Sequence, residues 1–381
     1  MDNNIIYLDN ASKTIPYPEV IALYNTVTSD FFANPSSIHI LGRRAAREID
    51  KSRDELLSMM RLKSHEVIYV NSATEANNLA VKGFALKNKN RGKHLITTSY
   101  EHPSVLEAFK QLEEEFGFEV TYLNPNSDGI ITKEMVESSL RKDTILVSIM
   151  AVNNEIGAIN PIEDIALLLK NYPKIAFHVD AAQAFTKLEK EINYNNVDLI
   201  TISAHKIHGL IGIAALIKKS NINLLPLLSG GGQENGIRSG TNDIALSLSF
   251  VKAASISMKE SKSHYNHVKE LSNILLEYLN NNKDKYELNL PQVINPYIIN
   301  FSTKEKKSSV VVEALSSKNI MVSSTSACHS SKEKGSYVVK AFGKDDKISR
   351  NTIRVSFSYL NTKEEVKAFI KNLDKIIGEI R

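Results

Sequence analysis

A lysine and an acid at the ends of two apolar runs are the residues whose chemistry is easiest to read in this chain. The run Val197-Asp-Leu-Ile-Thr-Ile202 closes on Ser203-Ala204-His205-Lys206, and the preceding run Ile175-Ala-Phe-His-Val179 closes on Asp180. On neighbouring strands, two such side chains can grip an aldehyde cofactor at both ends, the amine through an imine and the acid through an ion pair to a pyridinium nitrogen. A lysine at the end of a buried strand is unusual because burial disfavours its charge, and a lowered proton affinity makes a useful amine. Asp180 has a competing explanation as the N-cap of a following helix.

Further groups collect at similar positions. Asn71-Ser-Ala-Thr-Glu-Ala-Asn-Asn78 follows an apolar run and opens a helical pattern, so free backbone N–H groups and the Thr74 hydroxyl can cradle an anion such as phosphate. Ordinary capping by Ser72 or Thr74 explains the same residues. His102, in Ser99-Tyr-Glu-His-Pro103, reaches the same crevice, where a lone histidine is more often structural. Asn153-Asn154-Glu155-Ile-Gly157 suits a carboxylate or ring hydroxyl, and equally a plain turn. Gln183 places an amide three residues beyond Asp180. The loop from Gly230-Gly231-Gly232 to Gly240-Thr241 lets backbone approach a ligand or a neighbouring subunit, but no P-loop lysine pattern frames it.

Positioning these groups requires a sheet. Apolar runs at 66–70, 94–98, 119–123, 144–149, 175–179 and 198–203 read as buried strands, and helical patterns at 73–86, 103–116, 133–140 and 162–169 alternate with them. That order predicts an α/β fold, a mostly parallel sheet covered by helices, whose ligand crevice lies at the strand ends. From about residue 243 one long helical pattern runs to about 276 and leads to a smaller α+β unit with strands at 298–301 and 352–356 and helices at 308–316 and 363–377.

Composition bounds the function. With 381 residues, 42% hydrophobic and 24% charged, the chain is expected to bury one large core and a smaller one. The net charge of +4 is spread among 47 basic and 43 acidic residues, which signals no direct nucleic-acid binding. No apolar stretch approaches the roughly 20 residues of a membrane span, and the start Met-Asp-Asn-Asn lacks the basic n-region of a signal peptide, so no membrane association and a cytoplasmic location are expected. The one cysteine, Cys328, excludes an internal disulfide and any metal site built from several cysteines of one subunit; no metal is expected.

The motifs in their order and spacing resemble the cysteine desulfurases of the NifS/IscS group, in the class V aminotransferase branch of fold-type-I pyridoxal phosphate enzymes. The resemblance is carried by Tyr7-Leu-Asp-Asn-Ala11, Asn34-Pro-Ser-Ser-Ile-His39 with Gly42-Arg43, Ser72-Ala-Thr-Glu75, Glu101-His102, Val152-Asn-Asn-Glu-Ile-Gly157, His178-Val-Asp180 with Gln183, Ser203 to Lys206, Gly230 to Thr241, Ser326-Ala-Cys328 and Ile353-Arg-Val-Ser356. It implies a large cofactor domain at 15–260 and a small domain at 1–14 and 261–381 that carries Cys328 and Arg354. It implies that Lys206 forms the imine with pyridoxal 5'-phosphate, that Asp180 keeps the ring nitrogen protonated, and that His102 stacks on the ring and transfers protons. Gln183 and Asn154 would contact the ring oxygen and its neighbours; Ala73, Thr74, Ser203 and His205 would lie at the phosphate, joined by Thr241 from the second subunit of a homodimer. Arg354, with Asn154, would bind the substrate carboxylate, a surface salt bridge being the plainer alternative for the arginine.

The same resemblance implies that the Cys328 thiolate takes sulfur from L-cysteine, leaving a persulfide and releasing alanine, and then passes it to an acceptor protein. The small polar stretch Ser323 to Ser331 fits a mobile loop. Acceptors for tRNA thiolation, thiazole synthesis or iron–sulfur cluster assembly are all compatible; the short stretch after the last helix points towards a thiouridine or thiazole enzyme. A selenocysteine lyase or other β-lyase, indifferent to Cys328, and an inactive partner-binding relative are the alternatives. The chain departs from the family pattern at Ser12-Lys13-Thr14, at Thr325 and at Ile207-His-Gly-Leu-Ile-Gly212, which predicts altered access and a different turn behind Lys206. Lys13 is expected to add positive charge near the carboxylate pocket or the acceptor's approach.

Overall fold

Strands buried on both faces need continuous apolar runs, and the central strands of this chain have them. The computed structural model describes residues 5–324 and 335–379. In chain order the strands are β1 (Ile6–Tyr7), β2 (His65–Val70), β3 (His94–Thr98), β4 (Glu119–Leu123), β5 (Thr144–Ser148), β6 (Ala176–Asp180), β7 (Leu199–Ser203), β8 (Ala214–Lys219), β9 (Tyr286–Leu288), β10 (Ile298–Thr303), β11 (Ile320–Met321), β12 (Ser323–Ser324) and β13 (Thr352–Ser356). A seven-stranded sheet has the order β2-β8-β7-β6-β5-β3-β4. Neighbours are parallel from β7 through β4, whereas β8 runs antiparallel to both β2 and β7.

Alternation along these strands divides the apolar side chains between two faces. Ile200, Ile202, Phe177 and Val179 join Ala45, Ile49, Leu56 and Ile165 on one side, while Leu199, Ala176 and Leu146 join Phe84, Phe109 and Leu112 on the other. The helix Pro103–Phe116 shows how a covering layer is specified: Val105, Ala108, Phe109 and Leu112 form its buried stripe, proline stands in its first turn, and Gly117 at φ 67° ends it. Two histidines lie on interior strands of the sheet. His94 bonds Thr144 (2.7 Å) and Thr121 (2.8 Å), and His178 bonds Ser148 (2.8 Å) and Thr201 (3.1 Å), so their polar atoms are satisfied across strands.

A second apolar core, containing Leu8, Tyr265, Leu271, Phe301, Ile353 and Phe369, lies around the antiparallel sheet β12-β13-β10-β9 and the parallel pair β1-β11. The N-terminal segment joins both units: Leu8 and Ala11 belong to this core, Tyr17 to the larger one. The expected single helix from 243 to 276 is instead two helices, Ile244–Lys259 and Ser261–Asn281, separated where Glu260 leaves helical geometry (φ −94°, ψ 2°). The first buries Phe250 and Ala254 in the large core and the second buries Val268 and Leu271 in the small one, so the apolar stripe is re-aimed at the break. Among the described residues no helix is long and apolar enough to cross a membrane.

Candidate active site

The C-terminal ends of adjacent parallel strands β6 and β7 deliver Asp180 and Ser203 to one edge of the sheet, and a single helical turn, Ala204–Lys206, carries the lysine beyond it. The turn is tight because Gly209 N–H reaches back to Ala204 O (2.8 Å), and a Cβ at Gly209 would stand 2.8 Å from Ala204 Cβ. His208 adopts φ 62°, held by Thr14 Oγ1, which accepts its N–H (2.8 Å), and by its Nδ1 against Ile15 O (2.7 Å). Its ring packs 4.9 Å from Tyr17 and 4.8 Å from Tyr359, so this unusual turn is locked between the two units. Lys206 Nζ donates to Ala11 O and Ser12 O, each at 2.7 Å.

Asp180 is buried, and each of its oxygens accepts a hydrogen bond. Oδ1 accepts from Ala182 N–H (3.0 Å), a local turn rather than a helix cap, and Oδ2 accepts from Asn77 Nδ2 (2.8 Å). The same Asn77 nitrogen donates to Ser104 Oγ (2.8 Å), and Ser104 Oγ lies 2.8 Å from His102 Nδ1. Because Ser104 N–H also donates to Nδ1 (3.1 Å), that nitrogen is an acceptor and the ring proton sits on Nε2. A chain of hydrogen bonds thus runs from Asp180 through Asn77 and Ser104 to His102. His102 is meanwhile the N-cap of its helix, so its structural and chemical readings coexist.

Glu101 ties this corner down from below. It accepts from Thr98 Oγ1 (2.9 Å) and Met150 N–H (2.8 Å), and burial, opposed by these bonds and reinforced by Asp180, pushes its carboxyl up to about 8. Ser72, not Thr74, caps the helix at Ala73–Asn78, since Ser72 Oγ accepts from Glu75 N–H (3.1 Å). Ala73 and Thr74 therefore lie in a first turn, whose N–H groups have no intrahelical acceptor. Ser203 Oγ bonds His205 Nδ1 (2.9 Å), and burial first, then Lys206, Lys187 and Lys13, drives this imidazole down to about 3, so it is neutral at physiological pH.

At the junction of the units Arg354 is 7% exposed, which makes its ion pair with Asp9 (3.0 Å) an internal one rather than a surface bridge. Its other bonds go to Ser12 Oγ (2.7 Å) and Asn154 O (2.9 Å), while its Nε and the Asn154 side-chain oxygen are buried without a hydrogen-bond partner. Gln183 Nε2 donates to Ala11 O (2.8 Å), the carbonyl that Lys206 also uses. Lys13 is exposed beside them. Thr241 stands exposed on its glycine loop, which Arg238 fastens to Glu75 (2.7 Å) and Asn71 (3.0 Å).

Cys328 and Thr325 lie outside the described residues. The positions on either side of that segment meet the site: Ser323 pairs with Arg354 in the β12–β13 ladder, Ser336 Oγ donates to Glu155 Oε2 (2.5 Å) and Tyr337 OH to Glu101 O (2.5 Å). A cavity of about 510 Å³ bounded by Met59, Phe185, Tyr194 and Met258 contains none of these residues. Among the described residues no group of three or more His, Cys, Asp or Glu side chains is placed to hold a metal ion. No role was foreseen for Asn77 or Ser104, although Asn77 lies inside the Asn71–Asn78 motif and Ser104 two residues beyond His102. The donor set fits an anionic aldehyde cofactor: hydroxyls, first-turn amides and a neutral imidazole for a phosphate, a buried carboxylate for a ring cation, and an amine held by carbonyl oxygens.

The aminotransferase class-V family model matches residues 6–369. The mitochondrial cysteine desulfurase of Saccharomyces cerevisiae is 39% identical over 380 residues, covering 99% of this chain and 76% of that protein. A solved structure described as a NifS-like protein superposes with a TM-score of 0.91 at 31% identity, over 99% of this chain and 100% of that one. Another, described as SspA in complex with cysteine, gives 0.77 at 31% identity over 94% of this chain and 100% of that one. With the β6 and β7 ends, the buried acid and the lysine turn in place, this chain belongs to the class-V aminotransferase family and, within it, to the pyridoxal-phosphate-dependent cysteine desulfurases of the NifS/IscS group.

Proposed function

We propose that the desulfurase reaction of this chain is carried out by Lys206, Asp180, His102, Arg354 and Cys328, with sulfur leaving L-cysteine for the Cys328 thiol. The observation that carries this reading is the hydrogen-bonded chain from Asp180 to His102 beside the Lys206 turn. Pyridoxal 5'-phosphate, when bound, supplies a ring that accepts electrons from the substrate's α-carbon and so weakens the bond to sulfur. Lys206 Nζ would hold the aldehyde carbon and exchange for the substrate amine. Asp180, fixed by Asn77, would keep the ring nitrogen protonated. Ala73, Thr74, Ser203 and His205 would take the phosphate, and Gln183 and Asn154 the ring oxygen side. His102 would cover the ring face and move a proton at Nε2.

Arg354 would bind the substrate carboxylate, replacing part of its hold on Asp9 and Ser12. The transfer balances: the carbon–sulfur bond of cysteine breaks, a sulfur–sulfur bond forms on Cys328, and the carbon gains a proton, giving alanine and a persulfide. Cysteine is the substrate and a sulfur acceptor follows; a thiouridylase, a thiazole-forming enzyme and a cluster scaffold all have the required chemistry. We assign residues 15–260 to a cofactor domain and residues 1–14 with 261–381 to a smaller one, a division supported by the two apolar cores, with Val338 and Val339 packing back on the larger. A homodimer with Thr241 acting in trans is supported by the exposed Leu225, Leu227 and Leu228 leading into the glycine loop.

Incubating the holoenzyme with cysteine and measuring alanine and sulfide tests the reading. Lys206→Ala is expected to abolish alanine formation and the cofactor's lysine-linked absorbance band, and Cys328→Ser to abolish alanine formation with the band intact. Undiminished alanine from Cys328→Ser would point instead to a β-lyase that does not use the thiol.

A further inference from the structure

Lys187 is a lysine that this mechanism leaves unused, yet it is 6% exposed and lies against the same site. Its Nζ donates to Gln183 Oε1 (3.3 Å) and sits 5.9 Å from the Tyr297 ring centre. The charges that act on it are the cations Lys206 and Arg354, and with burial as the largest cause they bring its ammonium down to about 7. His205 and His208 in turn feel its charge. Burying an ammonium among cations is costly, which asks what the group does here that a hydrocarbon could not.

What it does follows from the symmetry of the glutamine amide. Oxygen and nitrogen of that amide are nearly isosteric, and only neighbours decide which points where. The Lys187 amine donates to Gln183 Oε1, most firmly in its ammonium form, which has no acceptor, while Ala11 O, the carbonyl that also receives Lys206 Nζ, can only accept and takes the amide nitrogen. Thr186, at φ 64°, is the bend that turns Lys187 inward, a conformation that non-glycine residues adopt only when their surroundings impose it.

We propose that Lys187 is a positioning residue: through Gln183 it fixes the amide that faces the cofactor's ring oxygen and the Ala11 carbonyl that receives Lys206. The inference rests on Lys206 being the cofactor lysine. The test measures cofactor dissociation and the lysine-linked absorbance band in wild type, Lys187→Met, Gln183→Leu and the double variant, with thermal unfolding alongside. Lys187→Met and Gln183→Leu are each expected to weaken cofactor binding by about three- to tenfold, the loss of one hydrogen bond, and to shift the band alike, and the double variant to be no worse than either. Lys187→Gln, which keeps a donor, is expected to restore most of the binding, and it carries the test if Lys187→Met does not fold. A fall in unfolding temperature with unchanged cofactor binding and band, or strictly additive losses, overturns the proposal. A Lys206→Ala holoenzyme that kept the band would instead remove the reading beneath it.

Discussion

The two ends of the site are built differently. The Asp180 end is assembled from one sheet edge and the helices packed on it: β6 supplies the acid, and Asn77, Ser104 and His102 follow in an unbroken hydrogen-bonded chain. The Arg354 end is assembled across units, with Asp9 and Ser12 from the N-terminal segment, Asn154 from the loop after β5 and the arginine from β13. In the first, both Asp180 oxygens and His102 Nδ1 have partners, and the unpartnered atoms are the side-chain oxygens Asn77 Oδ1 and Glu101 Oε2. The second holds an arginine Nε and an asparagine oxygen without partners, which suits a place where an anionic substrate comes and goes. Preorganisation is thus concentrated where the cofactor stays, and exchangeable contacts where the substrate turns over.

That contrast can be broken in graded ways. The largest effect is expected from Lys206→Ala, with a loss of alanine formation of about a thousandfold or more, because covalent capture has no substitute side chain. Arg354→Lys should raise the KM for cysteine by about tenfold to a hundredfold and leave the cofactor band unchanged, since a planar charged fork is lost only at the substrate end; an equal loss of cofactor would erase the distinction between the ends. Ser104→Ala should lower kcat by about three- to tenfold through an unfixed His102, with little change in KM. An effect on KM alone would show that the Asp180 end also exchanges with substrate.

Acid should loosen the cofactor end through its buried histidines. His178 is held down to about 4 and His205 to about 3, chiefly by burial, against an ordinary value of 6.5. The unfolded chain binds more protons than the native one between these values, so stability is fully present above about pH 6.5 and falls as pH drops towards the folded values. For His178 alone the loss approaches about 3 kcal/mol near pH 4. Buried carboxyls such as Glu101, raised to about 8, titrate in the opposite sense over part of that range, so the check is thermal unfolding of wild type against His178→Asn; the same pH profile in both contradicts neutral burial of that ring.

The legible parts were those where one physical demand dominates. Fully buried strands announce themselves, as β5, β6 and β7 did through Thr144-Ile-Leu-Val-Ser, Ala176-Phe-His-Val-Asp and Leu199-Ile-Thr-Ile-Ser. β8 escaped because Ala214-Ala215 carries little strand preference and Lys218-Lys219 reads as a solvated end, although Lys218 is buried against Glu66 (3.2 Å). The helix break at Glu260 escaped because the helical pattern continues across it while its packing partner changes. The positions of Lys206, Asp180 and His102 beyond their strands were legible from the runs that precede them, while the roles proposed for them came from the family resemblance. Asn77, Ser104 and Lys187 were not, since a polar residue on a covering helix or loop looks the same in sequence whether it faces solvent or an acid.

The most direct measurement is to reduce the holoenzyme with borohydride, digest it and locate the cofactor-bearing lysine by peptide mass. The account predicts modification at Lys206 with Lys187 unmodified. Modification at Lys187, the buried amine beside it, or at neither, would contradict it.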